Sequence, residues 1–444
     1  MNYQESIEYI ESLNKFGNHS LANIELFLAY TGKPQNNFKS IHVGGTNGKG
    51  SSSKIVASLA TTFQLKTGLY TGPHIYDWVE RYEIDAVCIS KDKFSQIATC
   101  LKKLNKDLLS KNAEFKGLSW FEFLTCIAFF WFSENNVDLA VIEVGMGGRL
   151  DATNVISQVL ATIITNTELD HTHILGNTVN AIASQKACII KKQTPIITAC
   201  NNEGLSIIED FAKSNQASLI KIDPVNLNVD FLGQGDDLKS VCHEFKLLII
   251  KNLNLLGSFQ EVNCLCALIA FYLAIGQLNR GLLSDWSAFK AKIAVCLKKI
   301  TWPGRLQYHR QLGLVVDACH NPSGAAAIKK SLDELFVNSK RIYVFACYQN
   351  KSAYTILKNI LNPQDYLITT EFVDSRPVYS ADELFKIARL FHPKTLCSDS
   401  INKAIDLAFE MKQADDIIVA IGSFKIVKAV NEYANITFDD IVKV

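Results

Sequence analysis

Neither sign of charge dominates this chain: Lys and Arg number 45 against 44 Asp and Glu. Without a basic excess there is no broad cationic field, which argues against nucleic acid as a partner. The sequence has no C-x-x-C pair, although it holds 12 cysteines. Cys126, Cys264, Cys266 and Cys347 sit inside apolar segments, so reduced, buried thiols are expected rather than a disulfide or metal framework. The N-terminal segment, MNYQESIEYIESLNKF, is acidic and amphipathic and lacks the basic start and apolar run of a secretory signal. The longest apolar stretch, 264–276, falls short of a bilayer span and reads as a buried helix. These absences together lead us to expect a cytoplasmic protein with no membrane partner.

What is present is a globular composition, 48% hydrophobic and 20% charged, in a chain of 444 residues. That length exceeds one ordinary core, so two domains are expected. No internal repeat or low-complexity tract stands out. Short β-branched runs alternate with helix-length amphipathic segments, the pattern of parallel strands joined by crossover helices. The pattern predicts strands at 39–43, 138–143, 161–165 and 195–198, and helices at 51–64, 93–109, 120–132 and 178–186. Helical segments at 262–275 and 285–299 precede Trp302-Pro303-Gly304-Arg305, where proline and glycine break any helix. A second alternating series follows, with strands at 313–316, 341–346, 365–369 and 416–420. The boundary is placed near residue 299, giving domains 1–298 and 299–444.

The sharpest motif is IHVGGTNGKGS (41–51), a strand entering a helix through a glycine-rich turn. Glycines let backbone N–H groups close around an anion, and the helix N-terminus adds its positive end. Gly45, Thr46, Asn47, Gly48 and Gly50 would cradle phosphate, with Lys49 reaching the terminal phosphates and Ser51 near a metal. Gly50 between the lysine and the hydroxyl departs from the Walker spacing. Two acidic motifs follow. Glu143 ends an apolar strand in VIEVGMGGRLDATN (141–154), and Asp170 and His171 follow the next strand in NTELDH (166–171). Ligands bind at that edge of an open parallel sheet. Taken alone, His171 could equally be a hydrogen-bonded core residue. Lys186 lies on a helix that otherwise looks buried; spacing alone favours a snorkelling surface lysine, while a buried one must be paired, neutralised or modified.

Nine motifs in one order resemble the folylpolyglutamate synthase and dihydrofolate synthase family, within the Mur ligase superfamily. Besides the segments above they are GLYTGPH (68–74), SWFEFLT (119–125), LDHTHILGNT (169–178), SQKACIIK (184–191), WPGRLQ (302–307), DACHNPSGA (317–325) and IGSF (421–424). The resemblance implies an α/β fold: a Mur-ligase-like P-loop domain with a mainly parallel sheet, followed by a smaller Rossmann-like domain that closes over the nucleotide. It implies a monomeric ATP-dependent ligase that phosphorylates a carboxylate and joins it to the amine of L-glutamate. Dihydropteroate is the implied acceptor, because LDATN is typical of enzymes with that activity, and folates are implied beside it. By the same resemblance Ser51, Glu143, His171 and Lys186 would hold two magnesium ions, Lys186 as a carbamate. Arg305, Asp317 and His320 would reach ATP or align its phosphates, and Gln260 and Asn263 would face adenine. Asp151, Ala152 and Phe121 would contact the pterin, Phe121 by stacking.

The chain departs from that pattern in several places. Gly72 stands for a serine near the first magnesium, a position a water could fill, and Phe259 stands for a histidine before Gln260. Asn350-Lys351-Ser352 keeps only the lysine of an Asp-Lys-Asp motif. Val79, Gln185 and Cys188 replace an arginine, a glutamate and a glycine. Two other readings compete: a peptidoglycan-type Mur ligase, whose UDP-binding domain is not expected before a loop at residue 44, and a catalytically silent nucleotide-binding protein.

Overall fold

The computed structural model describes residues 1–15, 20–232, 236–278 and 281–435. Contacts group the chain into two compact units, Met1–Asn252 with Val262–Lys298, and Leu253–Glu261 with Lys299–Val444. The helix Ser258–Leu278 therefore contributes its first turn to the second unit and its remainder to the first.

The first unit holds strands β1 (Lys39–Gly44), β2 (Thr67–Tyr70), β3 (Tyr82–Ile84), β4 (Val87–Cys88) and β5 (Leu139–Glu143). It continues with β6 (Val159–Ile164), β7 (Ile196–Thr198), β8 (Leu219–Ile222) and β9 (Val229–Leu232). They form one sheet in the order β4-β3-β2-β5-β1-β6-β7-β8-β9. The six strands from β2 to β8 in that order pair in parallel, and only the two margins are antiparallel. Every residue of β5, β6 and β7 is buried, which is why those segments read as apolar runs without alternation. β1 lies between β5 and β6, with Val43 opposite both Glu143 and Ile163.

Helices cover the sheet. An aromatic core joins Tyr82 and Phe94 to Phe123, Phe129, Trp131 and Phe132 of the helix Trp120–Glu134. That helix starts on a buried carboxylate: Glu122 Oε2 accepts from Ser119 N (2.8 Å), Ser119 Oγ (2.7 Å) and Asn23 Nδ2 (3.2 Å). The helix expected from residue 51 begins at Lys49, because Gly48, at φ 85°, is itself the N-cap. The helix Ser258–Leu278 is long and apolar enough to span a bilayer by composition, yet 67% of its apolar window is buried inside the protein. None of the 12 cysteines is in a disulfide.

The second unit holds β10 (Gln307–His309), β11 (Leu314–Val316), β12 (Arg341–Phe345), β13 (Tyr366–Thr369), β14 (Thr395–Cys397) and β15 (Ile417–Ile421). Their order is β10-β11-β15-β12-β13-β14, parallel except for β10. The fold class is thus α/β in both units, as the alternating pattern requires.

Replacing Glu122 by alanine strands three buried donors. The expected cost is about 2 kcal/mol, read as a lower urea midpoint with unchanged slope; an unmoved midpoint would remove this carboxylate from the account of the fold.

Candidate active site

The glycine loop leaves β1 between the ends of two neighbours. Val144 N donates to Val43 O (2.9 Å) and Thr165 N to Gly44 O (3.0 Å). Gly45 has φ 139°, and a Cβ there would stand 1.8 Å from Thr165 Oγ1. A Cβ on Gly48 would stand 2.2 Å from Asn263 Oδ1. These two glycines are therefore required both by backbone angle and by close approach. The amides of Thr46 and Asn47 both donate to Asn166 Oδ1, at 3.1 and 2.9 Å. Thr165 Oγ1 donates to Asn47 O at 2.5 Å, and Glu168 N donates to Thr46 Oγ1 at 3.0 Å. Thr165 and Asn166 thus hold the loop open, a role sequence reasoning missed. The signal was their position at the carboxyl end of a strand, directly before the acidic motif.

Lys49, half-buried, folds back so that Nζ donates to the carbonyls of Gly45 (3.1 Å) and Thr46 (3.2 Å). Lys186 is only 3% exposed, and its Nζ donates to the same Gly45 carbonyl at 2.6 Å. The snorkelling alternative is thereby excluded. Burial, and then the charge of Lys49, pull the Lys186 ammonium from 10.5 down to about 7, against the opposing pull of Asp170 and Asp151. Two cations meeting on one carbonyl are costly unless an anion joins them.

Glu143 is buried at the end of β5, and its Oε2 accepts from Gly72 N at 3.1 Å. The space a side chain at 72 would need is taken by Arg81, whose Nη1 lies 2.8 Å from the Cβ position. Arg81 lies over Trp78 and Trp120, 5.5 Å from each ring, and its Nε donates to His74 Nδ1 at 3.0 Å. His171 is no core residue: its side chain is 37% exposed, at φ 50°, on an Asp170 carboxylate that accepts from its backbone N–H (2.8 Å). Ser51 is buried in the first turn of the helix Lys49–Thr62. Among the described residues, no three His, Cys, Asp or Glu side chains converge to hold a metal.

Asp151 and Ala152 are buried after the Gly147-Gly148 turn. Burial raises the Asp151 carboxyl, opposed by donation from Thr153 Oγ1 (2.6 Å), Thr153 N (3.0 Å) and Met146 N (2.8 Å). Phe121 packs on Gly145, where a Cβ would stand 2.4 Å from its Cζ, and stacks on Trp120 at 6.4 Å. Gln260 and Asn263 lie three apart on one helix face, both buried.

In the second unit, Asp317 is buried and raised to about 6 by that burial, partly offset by the charge of Arg305. It accepts from Leu306 N (2.6 Å) and Cys319 N (2.7 Å), stitching the Trp302–Leu306 turn to the His320 loop. Arg305 lies 4.8 Å from the Phe424 ring centre, and His320 Nδ1 donates to Ala318 O at 2.9 Å.

Comparison with known proteins gives the family. A family profile described as the Mur ligase middle domain matches residues 123–271, and one described as dihydrofolate synthetase, C-terminal domain, matches 304–433. The molecule is therefore of the Mur-type ATP-dependent ligase class. It is 30% identical over 364 residues to dihydrofolate synthase/folylpolyglutamate synthase of Bacillus subtilis, covering 81% of this chain and 82% of that one. Dihydrofolate synthetase of Saccharomyces cerevisiae is 30% identical, covering 79% and 81%. Folylpolyglutamate synthase of Mycobacterium tuberculosis, solved with ADP and AMPPCP, superposes with a TM-score of 0.80 at 26% identity, over 97% and 98% of the two chains. The chain belongs to the dihydrofolate synthase/folylpolyglutamate synthase family.

Lys186 makes a pH prediction. Its folded value near 7 lies below the ordinary 10.5, so the unfolded chain binds the extra proton and stability rises with pH across that window. Below about 7 the cost of the buried cation is fully present. Lys186→Met lacks this slope, so wild type gains stability on the variant as pH rises through the window; a constant difference would contradict the assigned burial.

Proposed function

We propose that this chain uses ATP to join L-glutamate to dihydropteroate, and further to folates, through an acyl phosphate. The observation that carries this reading is the pair of lysines, Lys49 and Lys186, on the single Gly45 carbonyl. A polyphosphate seated in the loop would place its negative charge beside both ammonium groups. A carboxylate oxygen is a poor leaving group, so phosphoryl transfer from ATP comes first: the carboxylate attacks the γ-phosphorus and ADP departs. Lys49 and the amides at the start of its helix would stabilise charge on the transferring group, since those of Thr46 and Asn47 are held by Asn166. The glutamate amine then adds to the acyl carbon, the tetrahedral intermediate expels phosphate, and an amide remains. Arg305, held by the Asp317-pinned turn, and His320 would align the phosphates; Gln260 and Asn263 would face the adenine.

Glu143, the Ser51 hydroxyl and His171 are too few for a preformed cage, which suits magnesium carried on phosphates with its own waters. Magnesium held by these residues would supply positive charge to the phosphates. The neutral Lys186 amine, populated near pH 7, can add to carbon dioxide: an N–C bond forms as one C=O π bond opens onto oxygen, the nitrogen loses a proton, and the amine becomes an anionic carbamate. Asp151, Ala152 and Phe121 would hold the pterin, the carboxylate accepting from its N–H groups and the ring stacking.

The test is ADP release with ATP, magnesium, bicarbonate and L-glutamate, comparing dihydropteroate with tetrahydrofolate. Turnover is expected with dihydropteroate, and Lys49→Ala should reduce it by about 100-fold or more. A folded protein inert with both acceptors would leave a silent nucleotide binder instead.

A further inference from the structure

β1 buries an imidazole for which the reaction above has no use. His42 is fully buried between Ile41 and Val43, opposite Ile142 on one neighbouring strand and Thr162 on the other. An apolar residue would fill that site at less cost, since a buried polar ring is tolerated only where it is hydrogen-bonded. Burial, and then the charge of Lys191, hold its pKa well below the ordinary imidazole range, so the ring is neutral. Its Nε2 lies 2.8 Å from Thr153 Oγ1, which in turn lies 2.6 Å from Asp151 Oδ1.

The direction of this chain follows from proton count. Thr153 has one hydroxyl proton, and an ionised carboxylate only accepts, so that proton points at Asp151. Thr153 Oγ1 must then accept from His42, which places the imidazole proton on Nε2. Nδ1 is left bare, in agreement with its having no hydrogen-bond partner among the described residues. Oδ1 also accepts the Thr153 amide, and Oδ2 the Met146 amide. The carboxylate plane is thus fixed by its own loop, and the hydroxyl that orients it is fixed from the sheet.

We infer that His42 is a positioning residue for the acceptor substrate: by donating to Thr153 it locks the Asp151 carboxylate in the orientation that receives the pterin. The inference rests on the reading that Asp151 contacts that substrate. It separates His42 from the neighbouring phosphate loop, although both lie on one continuous motif.

The experiment compares four single variants and the double variant His42→Leu/Thr153→Val by steady-state kinetics with dihydropteroate, ATP and L-glutamate, with urea midpoints and calorimetric titration of dihydropteroate alongside. His42→Leu and Thr153→Val remove the donor and the relay; His42→Gln places an amide N–H2 near the Nε2 position, and Thr153→Ser keeps the hydroxyl. The expected result is a KM for dihydropteroate raised about tenfold in the first two, the worth of one hydrogen bond to a charged group. The KM values for ATP and glutamate stay within about twofold, and the double variant is no worse than either single one. The Gln and Ser variants return towards wild type. A folded Thr153→Val or His42→Leu with a wild-type KM for dihydropteroate overturns the inference, as does a parallel rise in all three KM values. Wild type that neither binds nor turns over dihydropteroate fails at the earlier step, the acceptor reading itself, and takes the inference with it.

Discussion

The Gly45 backbone fits against Thr165 so closely that no side chain could stand there. β1 runs between β5 and β6, and its loop must turn away from the sheet inside the gap left by the two neighbouring strand ends. This geometry brings Glu143, Asn166, Asp170 and Lys186 around a loop that begins at residue 44. A looser turn would still bind an anion with its amides. It would not keep the Gly45 carbonyl fixed under two lysines, 3.1 and 2.6 Å from their Nζ atoms.

Positive charge is concentrated in this pocket although the chain as a whole is nearly neutral. Net charge over the chain is +1, yet Lys186 is buried beside Lys49 and loses much of its hold on its proton. Burial, with a second cation close by, raises the free energy of the charged form of Lys186. A polyphosphate, or conversion of the Lys186 amine to a carbamate, relieves that cost in two different ways. Gly72 adds a further feature: without a side chain there, the Arg81 guanidinium closes over the backbone that donates to Glu143.

Much of the architecture was legible beforehand. The expected strands at 39–43 and 138–143 appear as Lys39–Gly44 and Leu139–Glu143, because fully buried parallel strands are continuous apolar runs. The buried helix around 264–276 followed from its apolar run alone. Legibility failed where a side chain's partner lay far along the chain. Periodicity could not tell a snorkelling Lys186 from a buried one, since the carbonyl it meets is 141 residues away. His171 could equally have been a hydrogen-bonded core residue or a ligand, and the structure places it outside the core, partly exposed in a left-handed turn. The segment Leu253–Glu261 groups with the second unit ahead of residue 299, and no proline or glycine cluster there marks the change.

By itself the sequence determined the α/β class, the glycine loop and the ordered motifs of the family. These depend on local chemistry: which residues permit a tight turn, and which runs can be buried on two faces. Tertiary structure alone decided that β1 lies between β5 and β6, that Asn166 clamps the loop amides, and that His42 reaches Asp151 through Thr153. Those contacts join residues more than a hundred positions apart, and only the crossovers of the sheet determine which distant side chains meet.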